Sequence, residues 1–122
     1  MSRAARGSTA NLSGAMAEDA VLRVYRAAGA EPLARRWRGA GAEIDLVLRL
    51  GATFVFVEVK AAPTHEAAAL RIAPAQIRRI MTAATAFLAA HGHPQEVPMR
   101  FDAALVDAAG RVEIREGALG GF

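Results

Sequence analysis

Asp45, Glu58 and Lys60 are the residue types that a divalent-metal phosphodiester chemistry needs. Two carboxylates offer hard oxygen ligands, and an ammonium beside them can orient a water or offset charge developing on a phosphate. Lys60 stands out, since the other fourteen of the fifteen basic residues are arginine. Arginine stays protonated whereas a lysine pKa responds to its surroundings, so a single lysine two positions from Glu58 is a chemical clue.

Bringing these groups together is a matter of register. Residues 43–50 alternate in polarity, Gly51-Ala52 interrupts, and residues 53–60 resume a β-rich run, which reads as a hairpin. A two-residue loop with Gly first suits a type II′ turn and pairs Leu50 with Thr53. Counting back pairs Val47 with Phe56, Asp45 with Glu58, and Glu43 with Lys60, all on one face. The other face collects Ile44, Leu46 and Leu48 against Val55, Val57 and Val59. Opposed carboxylates repel, and Mg²⁺ or Mn²⁺ is the natural compensator. The competing reading is a solvated face on which Glu43–Lys60 is a surface ion pair worth at most about 1 kcal/mol. Val47, Phe54 and Phe56 favour the site, because they continue the charged face as an apolar surface.

The flanking sequence supplies supports for this hairpin. Apolar residues at helical spacing predict a helix over 15–28 stopped by Gly29, and Leu33 to Trp37 is a short strand followed by breaks at Gly39 and Gly41. Pro74 opens a second helix with an apolar stripe from Ile77 to Leu88, ending at Gly92. Residues 99–116 read as two more strands, and the state of residues 61–73 is left open. The expectation is a single α/β domain over residues 14–122, a mixed sheet flanked by helices in the order αβββαββ. Residues 1–13 are expected to form a flexible basic tail.

A chain of 122 residues suits one core. The absence of cysteine excludes disulfides and thiolate metal sites. No secretory leader or membrane-length apolar run is visible, so the expected location is cytoplasmic, with no membrane partner. A net charge of +3 tilts mildly toward polyanions. Arg35, Arg36, Arg38, Arg78 and Arg79 are the candidates to hold a nucleic-acid backbone. His91 and His93 fall at a helix end and read as capping residues, His65 is uninformative, and Trp37 reads as core. Asp102 either supports the site or pairs with an arginine.

Gly14 and Glu18, Gly29, Arg38, Glu43-Ile44-Asp45-Leu46, Phe56-Val57-Glu58-Val59-Lys60, Arg79 and Pro98-Met99-Arg100-Phe101-Asp102 together resemble the YraN-type uncharacterised bacterial proteins. That family is assigned to the restriction-endonuclease-like, or PD-(D/E)XK, nuclease superfamily. The resemblance implies that fold, and it implies site residues Glu18, Asp45, Glu58 and Lys60, with Gln76 joining from the following helix. Glu18 would then assist Asp45 and Glu58 in holding the metal. The chain departs from the family pattern in having Gln76 where Lys is commoner and Ala62 where Arg is usual. The expected activity is metal-dependent hydrolysis of DNA or structured nucleic acid. The alternative is a non-catalytic nucleic-acid-binding or interaction module on the same fold. Cutting a duplex would call for two sites, which a homodimer supplies.

Overall fold

The computed structural model describes residues 13–120. The expected tail lies outside the described residues except for Ser13, whose hydroxyl caps the first helix by accepting from the Met16 amide at 3.1 Å. That helix, α1 (Gly14–Ala27), turns Ala17, Val21 and Tyr25 inward. Strands β1 (Glu31–Gly39), β2 (Ala42–Leu50) and β3 (Thr53–Ala61) follow as two consecutive hairpins. A short helix α2 (His65–Ala69) and a long helix α3 (Pro74–Ala90) lead to β4 (Met99–Val106) and β5 (Val112–Arg115). The architecture is mixed α/β. Its five strands lie in sequence order, antiparallel except for the β3–β4 pair.

Helices cover both faces of the sheet. Phe54 and Phe56 of β3 meet Ile80, Ala84, Phe87 and Leu88 of α3, while Val55 and Val57 meet Ala17, Val21 and Tyr25 of α1. Strand alternation thus sends one set of residues to each helix. Trp37 meets Phe87 edge to face at 5.3 Å between centroids and packs, half-buried, against the core. His91 stacks on Phe87 and its Nδ1 lies 2.9 Å from the Phe87 carbonyl, a helix-end role as expected. Among the described residues no helix is long and apolar enough to cross a membrane.

Three expectations need correction. The region between β1 and β2 is more than a break: Gly39 pairs with Ala42, and Ala40 and Gly41 both have positive φ (54° and 78°), a type I′ hairpin turn. The second hairpin has its expected turn, with Gly51 at φ 62° and Leu50 opposite Thr53, but its ladder stops at Leu46–Val57. Asp45–Glu58 and Glu43–Lys60 are not backbone pairs. The Asp45 carboxylate instead accepts the Val59 amide at 2.7 Å, so a side chain takes a donor that the ladder would have used. Finally, Ile44 packs with Val47 in the α3-side core, apart from Leu46 and Leu48. Arg36, on the neighbouring strand, sits at φ 54°, and no Arg36–Asp45 pair stands between Arg35–Leu46 and Trp37–Ile44 in the β1–β2 ladder. This irregularity breaks the alternation that the count assumed.

Candidate functional site

Where β2 and β3 part, Asp45 and Glu58 meet. Their side chains are within hydrogen-bonding reach of one another, and Glu58 is buried, only 3% exposed. One of its oxygens, Oε2, accepts from Gln76 Nε2 at 2.6 Å and lies 3.3 Å from Lys60 Nζ. The other, Oε1, is buried without a hydrogen-bond partner among the described residues. An orphaned carboxylate oxygen is costly in a folded protein, and it marks a place for a proton or a cation. Burial raises the pKa of Glu58, and the nearby charge of Asp45 raises it further against the opposing pull of Lys60. Burial also raises Asp45, partly offset by the Val59 amide.

The two carboxyls open on a cleft of about 220 Å³. The β1–β2 turn forms one wall through Gly41, Ala42 and Glu43, and α3 forms the other through Gln76, Arg79 and Ile80. Pro74 starts α3 without a side-chain cap, and the helix then places Gln76 and Arg79 one turn apart on the face toward the cleft. Asp45, Glu58, Lys60 and Gln76 are therefore brought together. Glu43, expected on the same face as Asp45, and Ile80 complete the walls; Ile80 was not anticipated as lining, because only the fold of the β1–β2 hairpin over α3 brings it there.

Glu18 is placed differently. It is 5% exposed and is held by Arg35 Nε at 2.9 Å and Arg36 Nε at 3.0 Å. Two adjacent strand residues normally point to opposite faces, but the left-handed backbone of Arg36 lets both guanidiniums reach one carboxylate. Glu18 is near enough for its charge to be felt at Asp45. Among the described residues no three His, Cys, Asp or Glu side chains form a metal-binding cluster.

The five candidate arginines divide accordingly. Arg35 also binds Asp19 and the Ala15 carbonyl, so Arg35 and Arg36 serve the β1–α1 contact. Arg38 makes a loose 3.6 Å pair with Glu43, and Arg78 and Arg79 are exposed beside the cleft. Asp102 is fully buried and pairs with an arginine: Arg100 reaches both its oxygens at 2.9 Å, while Tyr25 Oη donates at 2.7 Å and the Gly117 amide at 2.9 Å. It joins α1 to the sheet. His65 Nε2 lies 2.9 Å from the Arg111 carbonyl and Nδ1 3.2 Å from Glu113, tying α2 to β5, a role that nothing around His65 in sequence signals.

The fold and the site define a mixed α/β domain in which a buried glutamate, a half-buried aspartate and a glutamine line a cleft, with a lysine against the glutamate. A family model described as uncharacterised protein family UPF0102 matches residues 17–106, and the chain belongs to that family. It is 49% identical over 112 residues to a UPF0102 protein of Cereibacter sphaeroides, covering 92% of this chain and 96% of that one. It is 47% identical over 117 residues to one of Ruegeria pomeroyi, covering 96% and 95%. A Roseobacter denitrificans member is 50% identical over 113 residues, covering 93% and 88%.

Proposed function

We propose that this chain is a restriction-endonuclease-like, divalent-metal-dependent nuclease that hydrolyses phosphodiester bonds in DNA or structured nucleic acid. The observation that carries the reading is Glu58: a buried carboxylate with one unpartnered oxygen, set against Asp45 and open to a cleft. A mixed sheet covered by helices on both faces, with the acidic pair where two strands diverge, is in keeping with that fold class. Asp45 and Glu58 fit Mg²⁺ or Mn²⁺, which prefer oxygen ligands and commonly take one or two carboxylates. Bound there, the ion would polarise a phosphate and sharpen a water as nucleophile.

The chain's own residues prepare this site. Gln76 fixes the Glu58 rotamer through Oε2 and leaves Oε1 available. Lys60, three-quarters buried at its side chain, orients the water and offsets charge on the phosphate. The Val59 amide pins Asp45 by donating to its Oδ2 at 2.7 Å. Glu18 would assist only after leaving Arg35 and Arg36.

Titrating Mg²⁺ and Mn²⁺ by calorimetry into the wild type and Asp45→Asn, followed by cleavage assays on a panel of DNA structures, tests the reading. Metal binding and cleavage lost together in the variant support it. Absence of metal binding in the wild type, even with DNA present, counts against it. The second reading is a non-catalytic nucleic-acid-binding or interaction module, favoured by the engagement of Glu18 with two arginines, which holds it apart from Asp45 and Glu58. DNA binding in chelator that survives Lys60→Ala would support that module. Light scattering on the substrate complex decides between monomer and homodimer.

A further inference from the structure

The arginines of this protein are not equally available. Arg35, Arg36, Arg100, Arg111 and Arg115 are each paired with a carboxylate, and Arg49 and Arg71 donate to backbone carbonyls. Arg78 and Arg79 have neither kind of partner among the described residues, and both face the ground around the acidic cleft. Arg79 lines that cleft together with Asp45 and Glu58. It also lines an adjoining hollow of about 280 Å³ with Arg78, Ala75 and Ala40. On the other side, a hollow of about 550 Å³ bordered by Arg38 shares Gly41, Ala42 and Glu43 with the cleft. Arg38 itself is 81% exposed.

The three depressions thus form one groove that crosses beside the β1–β2 turn, with the carboxylates in its middle section and an arginine in each section. Its walls at the turn are Ala40, Gly41 and Ala42, small enough for a polymer backbone to approach closely. Among the described residues, none bordering the groove is aromatic. Trp37, the residue nearest to a stacking platform, is committed to Phe87. Single-strand binders rely on aromatic faces for their bases, so a groove with arginines along its length, small residues at its turn and carboxylates only around its middle suits the phosphates of a duplex.

We infer that this groove is a sequence-independent track for the phosphodiester backbone of double-stranded nucleic acid, in which Arg79 positions the phosphate at the acidic pair and Arg78 and Arg38 hold those to either side. The inference rests on the nuclease reading for the role of the middle phosphate, and on the groove alone for binding. Arg79 is a positioning residue: its guanidinium can hold a phosphate over Asp45 and Glu58, and the fork is better matched to two phosphate oxygens than an ammonium is.

The test is the salt dependence of binding to a fluorescent duplex and to an oligo-dT of equal length, in chelator, for wild type and single alanine variants of Arg38, Arg78 and Arg79. A double Arg23→Ala, Arg26→Ala variant on α1 serves as control. Each groove substitution is expected to reduce the slope of log K against log salt by about 0.9, the loss of one phosphate contact, with duplex preferred and the control unchanged. Arg79→Ala should also lower kcat in Mn²⁺ while leaving Mn²⁺ binding intact, and Arg79→Lys should restore part of it. Unchanged slopes, or an equal loss in the control, would overturn the track. Preference for oligo-dT would overturn its assignment to duplex. Altered slopes without any metal-dependent cleavage would leave the track standing and remove the nuclease reading; Asp45-dependent cleavage with unaltered slopes would do the reverse.

Discussion

Replacing Glu58 by Gln should stabilise the metal-free protein at alkaline pH, the reverse of what removing a buried charged partner usually does. Burial and the neighbouring Asp45 push the Glu58 carboxyl from 4.5 to about 8. A carboxyl whose folded pKa is raised binds its proton more tightly folded than unfolded, so its contribution is fully present below pH 4.5. It is lost as pH rises, at about 1.4 kcal/mol per unit, until the folded carboxyl ionises near pH 8. The full span is on the order of 5 kcal/mol, and Asp45 shares it because the two carboxyls titrate as a pair. Glutamine keeps the shape: its amide oxygen can take the Gln76 bond, and its amide nitrogen can face Asp45 as a donor. Thermal melts by circular dichroism in chelator, from pH 5 to 8.5, should show the wild-type Tm falling and that of Glu58→Gln nearly level. The two should be similar near pH 5 and differ by on the order of 10 °C at pH 8. A wild-type Tm that does not fall over this range, or a variant less stable than wild type at pH 8, would refute the electrostatic reasoning.

Other expectations follow from the same geometry. Mn²⁺ at a hundred times its Kd should raise wild-type stability at pH 8 by about 2.7 kcal/mol, read as a Tm shift absent in Asp45→Asn. Asp102→Ala should cost about 3–5 kcal/mol in urea denaturation, because it leaves the Arg100 guanidinium, the Tyr25 hydroxyl and the Gly117 amide without their shared acceptor. Tyr25→Phe should cost only about 1 kcal/mol, since Arg100 and Gly117 still satisfy the carboxylate. Gly39→Ala should destabilise by about 1–3 kcal/mol, as a Cβ there would fall 2.2 Å from the Trp37 ring, and Trp37 is wedged against Phe87; tryptophan fluorescence would report the displaced ring.

Sequence alone determined the local features. The Gly51-Ala52 turn, the start of α3 at Pro74, the helix end before Gly92 and the sorting of Phe54 and Phe56 from Val55 and Val57 all follow from short-range rules of turn geometry and alternation. Those rules were enough to place Asp45 and Glu58 side by side, because both lie on strands joined by one legible turn. Tertiary structure decided what depends on distant elements. The left-handed Arg36 has no signature in its residue type, yet it accompanies the break in alternation beside Asp45 and allows two arginines to share Glu18. The ladder ends before Asp45 and Glu58 because a side chain competed for the Val59 amide, an outcome that counting residues does not register. The cleft exists because the β1–β2 turn comes to lie beside α3, some thirty residues later in the chain, and packing against Phe87 and Ile80 sets that approach. Short-range stereochemistry is written residue by residue, whereas burial, charge pairing and cleft shape arise only once remote surfaces exclude water from one another.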